Sequence, residues 1–541
     1  MTNSTIPFMG NLPVAYSYSK LAGFVRTLTY SEIILAVVVL LFIRRVVVAI
    51  HSLYFHPLAS IPGPKLAAIT RLYELYYAVF AHTKILWVEH ERQLHRKYGP
   101  IIRIGPNSVH VSGIDDFREV HKAGSKFTKA RYFYQNLGFD NTMLASLDHA
   151  FHRQRRGFIA PMFSKSEMLK FEGIVQARRQ HLVNTMRARI TRGGVDTQAV
   201  IDMNDILSAW VYDMAFEVLF HGKSNLVEDA FEGIIDPKMT ALRMSVESML
   251  LIRYLSAVMR VARALPAWLV EPIMPAGRGV ANFKQAVSSI MDDIQKLRQT
   301  EKKQQDGEDI GNQKEREVVA YQLLDHLDFK TASHEATVIF SGAIHTTGWS
   351  LTRSVYFLAA NRAVQEKLFA ELKKAIPDRN SQISYAALES IPYMVAFMKE
   401  SSRLAFSIGA SNPREAPAET GAVLSGKYIP GGTIVETDSW NLHLNEEVFP
   451  DPHRFDPERW LQGEKSKQLE KHLAPFGMGS MMCVGYTLAN MAMYLCVAGL
   501  VRNFELSLTE EMEKEGFEFG MPWSGIKRGL PCEFVVRARE E

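Results

Sequence analysis

The run Ile33-Ile34-Leu35-Ala36-Val37-Val38-Val39-Leu40-Leu41-Phe42-Ile43 restricts this chain more than any other stretch. Eleven consecutive apolar residues leave a helix with no polar face, so lipid or protein must cover it on all sides. Alone they fall short of the roughly 20 residues that cross a bilayer. Extension back to Leu21 and on to Ile50 supplies the length but takes in Arg26, Glu32, Arg44 and Arg45. Arginines of this kind can lie along the helix and keep their charge at the interface. The expectation is a segment 1–50 carrying one anchor helix over about 21–50, with an interfacial helix or a buried core helix as alternatives. A cleaved leader fits poorly, because the start has no basic cluster and no small-residue cleavage site follows the run. Arg44, Arg45, Lys65 and Arg71 lie after the apolar run, which puts the body in the cytosol and the sequon Asn3-Ser4-Thr5 in the lumen. Lys20 and Arg26 weaken that contrast.

Residues 51–64 follow, with Pro57 and then Ile61-Pro62-Gly63-Pro64. Prolines on both sides of a glycine hold the backbone extended, so a stiff hinge or a plain loop is expected before a body of 65–541. In that body Ile101–Ile104 and Val109–Ser112 flank Gly105-Pro106-Asn107, a hairpin pattern. Most of 148–400 has helical spacing, and 297–318 is a solvated connection inside one domain. After 404 come short strands and turns, a helix from Tyr486 to Val501, and strand-like Phe534-Val535-Val536. The fold class is therefore mainly α with minor β sheets. A net charge of +4 is too small to argue for nucleic acid, and three cysteines in 541 residues exclude a disulfide scaffold.

Those cysteines are judged by chemistry. Cys483 ends a glycine-rich stretch, Phe476-Gly477-Met478-Gly479-Ser480-Met481-Met482-Cys483-Val484-Gly485, that leads into a helix. Glycines let backbone amides converge on one atom, and a thiolate at a helix N-terminus is stabilised by those amides and by the dipole. Such a residue is open to use as a nucleophile, a redox thiol or a metal ligand, or it is an inert buried thiol. The absence of a second cysteine at CxxC spacing disfavours zinc and dithiol exchange. A single thiolate facing an open metal position also suits a haem iron.

The pattern Phe476, Gly479, Cys483, Gly485 resembles the haem-thiolate loop of the cytochrome P450 family. Three further segments match in order. Glu400-Ser401-Ser402-Arg403 is similar to the family's Glu-x-x-Arg helix, and Phe455–Trp460 to its Pro-Glu-Arg-aromatic segment. Ser341–Thr347 is similar to the oxygen-binding stretch of its central helix. The hinge Tyr54–Pro64 is similar to the proline-rich start of microsomal, especially fungal, members.

The resemblance implies the family fold, haem b (iron protoporphyrin IX) with Cys483 as axial iron ligand, and a loop shaped by Phe476, Gly479 and Gly485. It implies a buried network of Glu400, Arg403 and Arg459, and contacts from His152, Arg156 and Arg414 to the haem carboxylates. Arg153 and Arg155 are then read as solvated, facing a redox partner. Thr346 and His345 stand where the family relays protons to oxygen; a histidine titrates near neutrality and can serve there. Two residues depart from the family's pattern. Met481 stands where an arginine usually binds a haem carboxylate, and His345 stands in place of an acidic residue. A substrate pocket is implied around Tyr132, Phe133, Phe340, Ile344, Phe406, Ile408 and Trp523, with a lid within Met239–Leu265.

The implied activity is insertion of one oxygen atom of O2 into a lipophilic substrate at the endoplasmic reticulum membrane. No strand–GxGxxG–helix unit is present, so electrons are expected from a separate NADPH–cytochrome P450 reductase, with cytochrome b5 as a possible second donor. Segments 391–418 and 446–460 are most similar to fungal secondary-metabolism members of the trichodiene oxygenase type, which implies a terpenoid or polyketide substrate. A haem-thiolate isomerase or dehydratase and a non-catalytic membrane-anchored binding protein stay open as alternatives.

Overall fold

The computed structural model describes residues 29–541 apart from 81–86, 193–197, 256–257, 259–260, 262–264, 271–274, 306–317, 380, 409–410, 516–531 and 540–541. Two compact units are defined, Met1–Ser60 and Ile61–Glu541. In the first, α1 (Tyr30–Ile50) opens on a capping box: the Thr29 hydroxyl accepts from Glu32 N–H, and Glu32 reaches back to the Thr29 amide. The helix continues through a π-helical turn, His51–Phe55, so Tyr30–Phe55 gives 26 residues of high apolarity with no buried window. That is long and apolar enough to cross a membrane. The expected start near residue 21 lies outside the described residues. The C-terminal side is corrected, because His51–Phe55 is helical and only His56–Ser60 turns.

In the second unit the principal helices are α2 (Leu72–Leu75), α3 (Trp87–Tyr98), α4 (Arg131–Tyr134), α5 (His149–Met162), α6 (Glu172–Arg192), α7 (Met203–Phe220) and α8 (Pro237–Tyr254). They continue with α9 (Pro275–Gln305), α10 (Phe329–Ala360), α11 (Pro392–Ala405), α12 (Ser439–His443) and α13 (Tyr486–Asn503). Among the described residues, ten strands form three small sheets. The largest has the order β1-β2-β8-β5-β3, from β1 (Ile101–Gly105), β2 (Ser108–Val111), β3 (Thr128–Lys129), β5 (Arg414–Glu415) and β8 (Ile434–Glu436). The hairpin β1–β2 is antiparallel with Ile101 opposite Val111, whereas β2 and β8 pair in parallel. The second sheet joins β4 (Gln198–Asp202), β10 (Glu533–Ala538) and β9 (Phe504–Leu508). The third is the hairpin β6 (Ala422–Leu424) with β7 (Lys427–Ile429).

The core lies where α6, α7, α10 and α13 meet. Apolar residues surround α7, and Trp210, Val211, Ala215 and Val218 are all fully buried, as a helix without a polar stripe requires. Its N-terminus is closed by Asp202, which accepts from the amides of Asn204 and Asp205. α10 runs 32 residues through the centre from an Asp328 cap, and the packing of α7 and α13 against it fixes its rotation.

Beside the large sheet lies a buried titrating cluster. His110 on β2 donates from Nε2 to Asp438 Oδ2 at 2.7 Å. Its Nδ1 lies 2.7 Å from His95 Nε2, while His95 Nδ1 donates to the Gly99 carbonyl at 2.8 Å. With both ring nitrogens donating, His110 is an imidazolium. Burial opposes that charge, but Glu91 and Asp438 outweigh it and raise the group to about 9. These carboxylates and His110 put potential ligand atoms within 4.8 Å of one another. Asp438, however, already accepts from His110 and from the Asn441 amide and side chain.

A folded pKa raised above the unfolded value stabilises below about 6.5, and that stability is lost as pH rises through about 9. The rise to about 9 corresponds to about 3 kcal/mol at the low-pH limit. Denaturation midpoints should therefore fall between pH 6.5 and 9.5, and His110→Gln should flatten that slope. Equal slopes for the two proteins would show that the pair carries no such linkage.

Candidate functional site

The stretch 476–485 folds as a tight loop entering α13. Cys483 N–H donates to the Phe476 carbonyl at 2.9 Å and Met482 N–H to the Gly479 carbonyl at 3.2 Å. Gly477 and Gly479 take φ of +73° and +65°, where a side chain is strained. At Gly479 a Cβ would also lie 2.0 Å from the His121 carbonyl oxygen, so only glycine fits. Met481 sits in the short turn Gly479–Met481. Gly485 forms the N-terminal cap of α13, and its amide favours the Cys483 thiolate.

Cys483 is reached by solvent, yet it lies deep enough that burial pushes its thiol up. A side chain reached by solvent yet surrounded by protein stays open to a ligand. Against the burial, the Gly485 amide and then the Arg156 guanidinium pull the thiol down. Arg156 on α5 donates to the Met482 carbonyl at 2.8 Å and so touches the cysteine loop itself.

Around Arg156 the positive groups crowd together. Burial, then Lys129, Arg156, His149 and Arg414, lower His152 to about 4. Burial, then Arg414 and Arg156 against the pull of Glu335, bring Lys129 to about 7. Lys129 holds the Met143 and Leu144 carbonyls at 2.7 and 2.8 Å. Arg414 on β5 donates to the Tyr134 hydroxyl at 2.7 Å. Mutual repulsion of this kind is relieved by a bound anion. An enclosed thiol adjoining clustered cations fits a cofactor that offers a metal to sulfur and carboxylates to guanidinium, as haem b does. Lys129 escaped the sequence reading; the signal was a lysine inside the apolar-aromatic run Phe127-Thr128-Lys129-Ala130-Arg131-Tyr132-Phe133. Arg155 is corrected from solvated to buried: it stands 3.7 Å from Glu335 on α10, and Arg153 alone of the two is exposed.

Behind the loop lies a charged network inside the protein. Arg403 donates to both Glu400 oxygens at 2.9 and 2.8 Å, and Arg459 donates to Glu400 Oε1 at 2.9 Å. The Trp460 indole and the Asp456 amide complete the carboxylate. Arg403 also donates to the His443 and Pro452 carbonyls. His443 links this network to the loop, since its Nδ1 donates to the Arg403 carbonyl and its Nε2 accepts from the Ala474 amide. Burial and then Arg403 lower His443 to about 3, which keeps it neutral for that double role.

On α10 the accessible face carries Gly342 and Thr346, four residues apart. Thr346 Oγ1 donates to the Gly342 carbonyl at 2.6 Å, and a Cβ at Gly342 would meet nothing within 4 Å. A long central helix thus has open space beside its middle. His345 is part-accessible, but burial, with a smaller push from Arg243, lowers it to about 4. The expectation that it titrates near neutrality is corrected: at pH 7 it is neutral imidazole. Arg243 itself pairs with Asp205.

The expected pocket residues divide. Phe133, Phe340 and Ile344 are 1%, 0% and 1% exposed. Phe340 is enclosed by Tyr212, Phe216, Phe220 and Phe283 because its face of α10 turns toward α7 and α9. Phe406 is also buried, against Trp440 at 4.1 Å, with φ of +47° closing α11. Tyr132 is half-buried and Ile408 is 39% exposed. Trp523 lies outside the described residues.

The family model described as Cytochrome P450 matches residues 70–527. The chain is 29% identical over 494 residues to cytochrome P450 monooxygenase BOT1 of Botryotinia fuckeliana, covering 90% of this chain and 92% of that relative. It is 30% identical over 509 residues to cytochrome P450 monooxygenase aflU of Aspergillus parasiticus, covering 91% and 95%. It is likewise 30% identical over 481 residues to cytochrome P450 monooxygenase sdnE of Sordaria araneosa, covering 85% and 89%.

Proposed function

The chain belongs to the cytochrome P450 family, and from that premise we propose that it holds haem b on Cys483 and hydroxylates or epoxidises a terpenoid or polyketide intermediate. As a family member it is an oxidoreductase, a mono-oxygenase of fungal secondary-metabolism type acting on a lipophilic substrate. Its helix-rich body with three small sheets is the fold of that family. The observation that carries the cofactor reading is an accessible but enclosed thiol beside Arg156, which itself stands in a cluster with Lys129, His152 and Arg414. When bound, the haem supplies activation of O2, its sulfur ligand pushing electron density toward the metal.

The residues of this chain do the rest. Phe476, Gly479 and Gly485 hold the loop so that the sulfur faces the enclosed space. Arg156, Arg414, Lys129 and neutral His152 hold the cofactor's carboxylates by charge and hydrogen bonds. Arg156 and Lys129 stand in for the arginine that Met481 replaces. Glu400, Arg403 and Arg459 keep the loop's foundation in one geometry through His443.

Thr346 positions a water on the open side of α10. His345 passes protons as a neutral ring, taking one at one nitrogen and releasing one at the other. The electron donor is an NADPH–cytochrome P450 reductase, with cytochrome b5 as a second donor. The anchor helix, with the exposed Val258, Val261 and Trp268, keeps the body at the endoplasmic reticulum membrane, where lipophilic substrates concentrate.

Coupling tests the relay. Thr346→Ala and His345→Ala should each lower the fraction of NADPH converted to product by about 10-fold, with peroxide making up the balance. Unchanged coupling in both variants would refute the assignment of the relay. Product formed without NADPH would exclude mono-oxygenation.

A further inference from the structure

Three buried side chains meet beside the large sheet, each from a different element. Glu91 lies on α3, His110 on β2, and Asp438 caps the N-terminus of α12. They are 1%, 0% and 5% exposed. One ligand atom from each lies within 4.8 Å of the other two. His110 Nε2 stands 2.7 Å from Asp438 Oδ2 and 4.0 Å from Glu91 Oε1. That Glu91 oxygen is buried and has no hydrogen-bond partner. A buried carboxyl oxygen left in this way is costly and calls for an occupant.

The surrounding contacts suit a metal-binding imidazole. His110 Nδ1 donates to His95 Nε2 at 2.7 Å, and His95 Nδ1 donates to the Gly99 carbonyl at 2.8 Å. His95 stands four residues from Glu91, on the same face of α3. This chain keeps a proton on His110 Nδ1 and leaves Nε2 to the two carboxyl groups. Histidines that bind metal ordinarily donate their far N–H to such an acceptor. Asp438 is oriented by the Asn441 amide and side chain at 2.6 and 3.0 Å. Its contact with His110 is the one that a cation takes over. Charge then separates the possible occupants. A bridging water satisfies Glu91 Oε1 but leaves two carboxyl groups facing one imidazolium. A divalent cation with neutral His110 balances both carboxylates, and the neighbouring Glu74 and Glu436 already pair with Arg253.

We propose that Glu91, His110 and Asp438 bind a divalent transition-metal ion, zinc being the one their chemistry fits. One imidazole nitrogen and two carboxylate oxygens suit zinc, with a fourth position left for water. Bonds of about 2.0 Å to a tetrahedral ion set ligand atoms about 3.3 Å apart. His110 and Asp438 must then part by about 0.6 Å and Glu91 approach by about 0.7 Å, shifts within reach of small side-chain rotations. On entry the ion displaces the Nε2 proton of His110, and any proton on Glu91, to solvent. The ion ties α3, β2 and α12 together, and α12 ends on His443, the link to the cysteine loop. None of the three ligands belongs to the Cys483 site, so the proposal does not rest on the haem reading.

The test uses the full-length holoprotein without a histidine tag, stripped with EDTA and titrated calorimetrically with zinc chloride. Zinc per chain is then counted by plasma mass spectrometry after desalting. A single tightly held zinc is expected, undisturbed by excess magnesium, which demands oxygen ligands. Glu91→Gln keeps the shape but removes a charged ligand and should weaken binding by at least about 100-fold. His95→Phe removes only the acceptor behind His110 and should weaken it by about 10-fold. With free zinc at about 100 times the dissociation constant, the native melting temperature should rise by about 2 °C, and that of Glu91→Gln should not.

Zinc held equally by the native and Glu91→Gln proteins would mark adventitious binding and overturn the proposal, as would a native chain that retains none. If Glu91→Gln yields no folded protein, native affinity in His95→Phe would overturn it equally.

Discussion

Replacing Glu400 with alanine should abolish recovery of folded, haem-loaded protein. The substitution strands the guanidiniums of Arg403 and Arg459 in the interior and removes the acceptor of the Trp460 indole and the Asp456 amide. Arg403 is 0% and Arg459 7% exposed, so water cannot take the carboxylate's place. Breaking such a pair from one side costs about 3–5 kcal/mol, a large share of the net stability of a domain. The loss should reach the cofactor through His443, which ties the Arg403 carbonyl to the Ala474 amide at the start of the cysteine loop. Chemical denaturation followed by far-ultraviolet dichroism measures the first effect, and the haem-to-protein ratio the second. A Glu400→Ala protein within about 1 kcal/mol of native would remove the network from the account.

The second large effect is expected from one added methyl group. Gly479→Ala puts a Cβ 2.0 Å from the His121 carbonyl at a backbone φ of +65°. The left-handed conformation alone costs about 1 kcal/mol for alanine. The clash is with backbone and cannot be relieved by a rotamer change, so the loop must shift. Met482, whose amide bonds to the Gly479 carbonyl, would move with it, and Arg156 would lose its acceptor. The expected result is a folded chain of nearly native melting behaviour with at least about 10-fold weaker haem retention. Gly173→Ala on α6 is the control, because a Cβ there meets nothing within 4 Å and its φ is not in the left-handed region. Equal haem retention in the two variants would contradict the role given to this turn.

How far the sequence could be read depended on how local each feature is. The β1–β2 hairpin was legible because Gly105-Pro106-Asn107 sits between two apolar runs. The approach to α13 was legible from its glycines. Glu400 and Arg403 were visible as a pair three apart, but the carbonyls of His443 and Pro452 that complete Arg403 lie 40 and 49 residues away. No spacing rule encodes such a partner. His443 and Lys129 were missed for the same reason.

The exposure of the expected pocket residues on α10 depended on rotation. Phe340 and Ile344 share one face of α10 while Gly342 and Thr346 share another, and only packing against α7 decides which face is enclosed. His345 shows the same limit in electrostatics. Its residue type suggested titration near pH 7, and depth in the fold moved it to about 4.

Ligation by Cys483 is most directly tested by the absorbance of the purified full-length chain, reduced and exposed to carbon monoxide, beside Cys483→Ser. The account requires a Soret band shifted to the red in the native chain, as a thiolate opposite the bound gas produces, and its loss in the serine variant. A band at the unshifted position in the native protein, or the same shifted band in both, would contradict it.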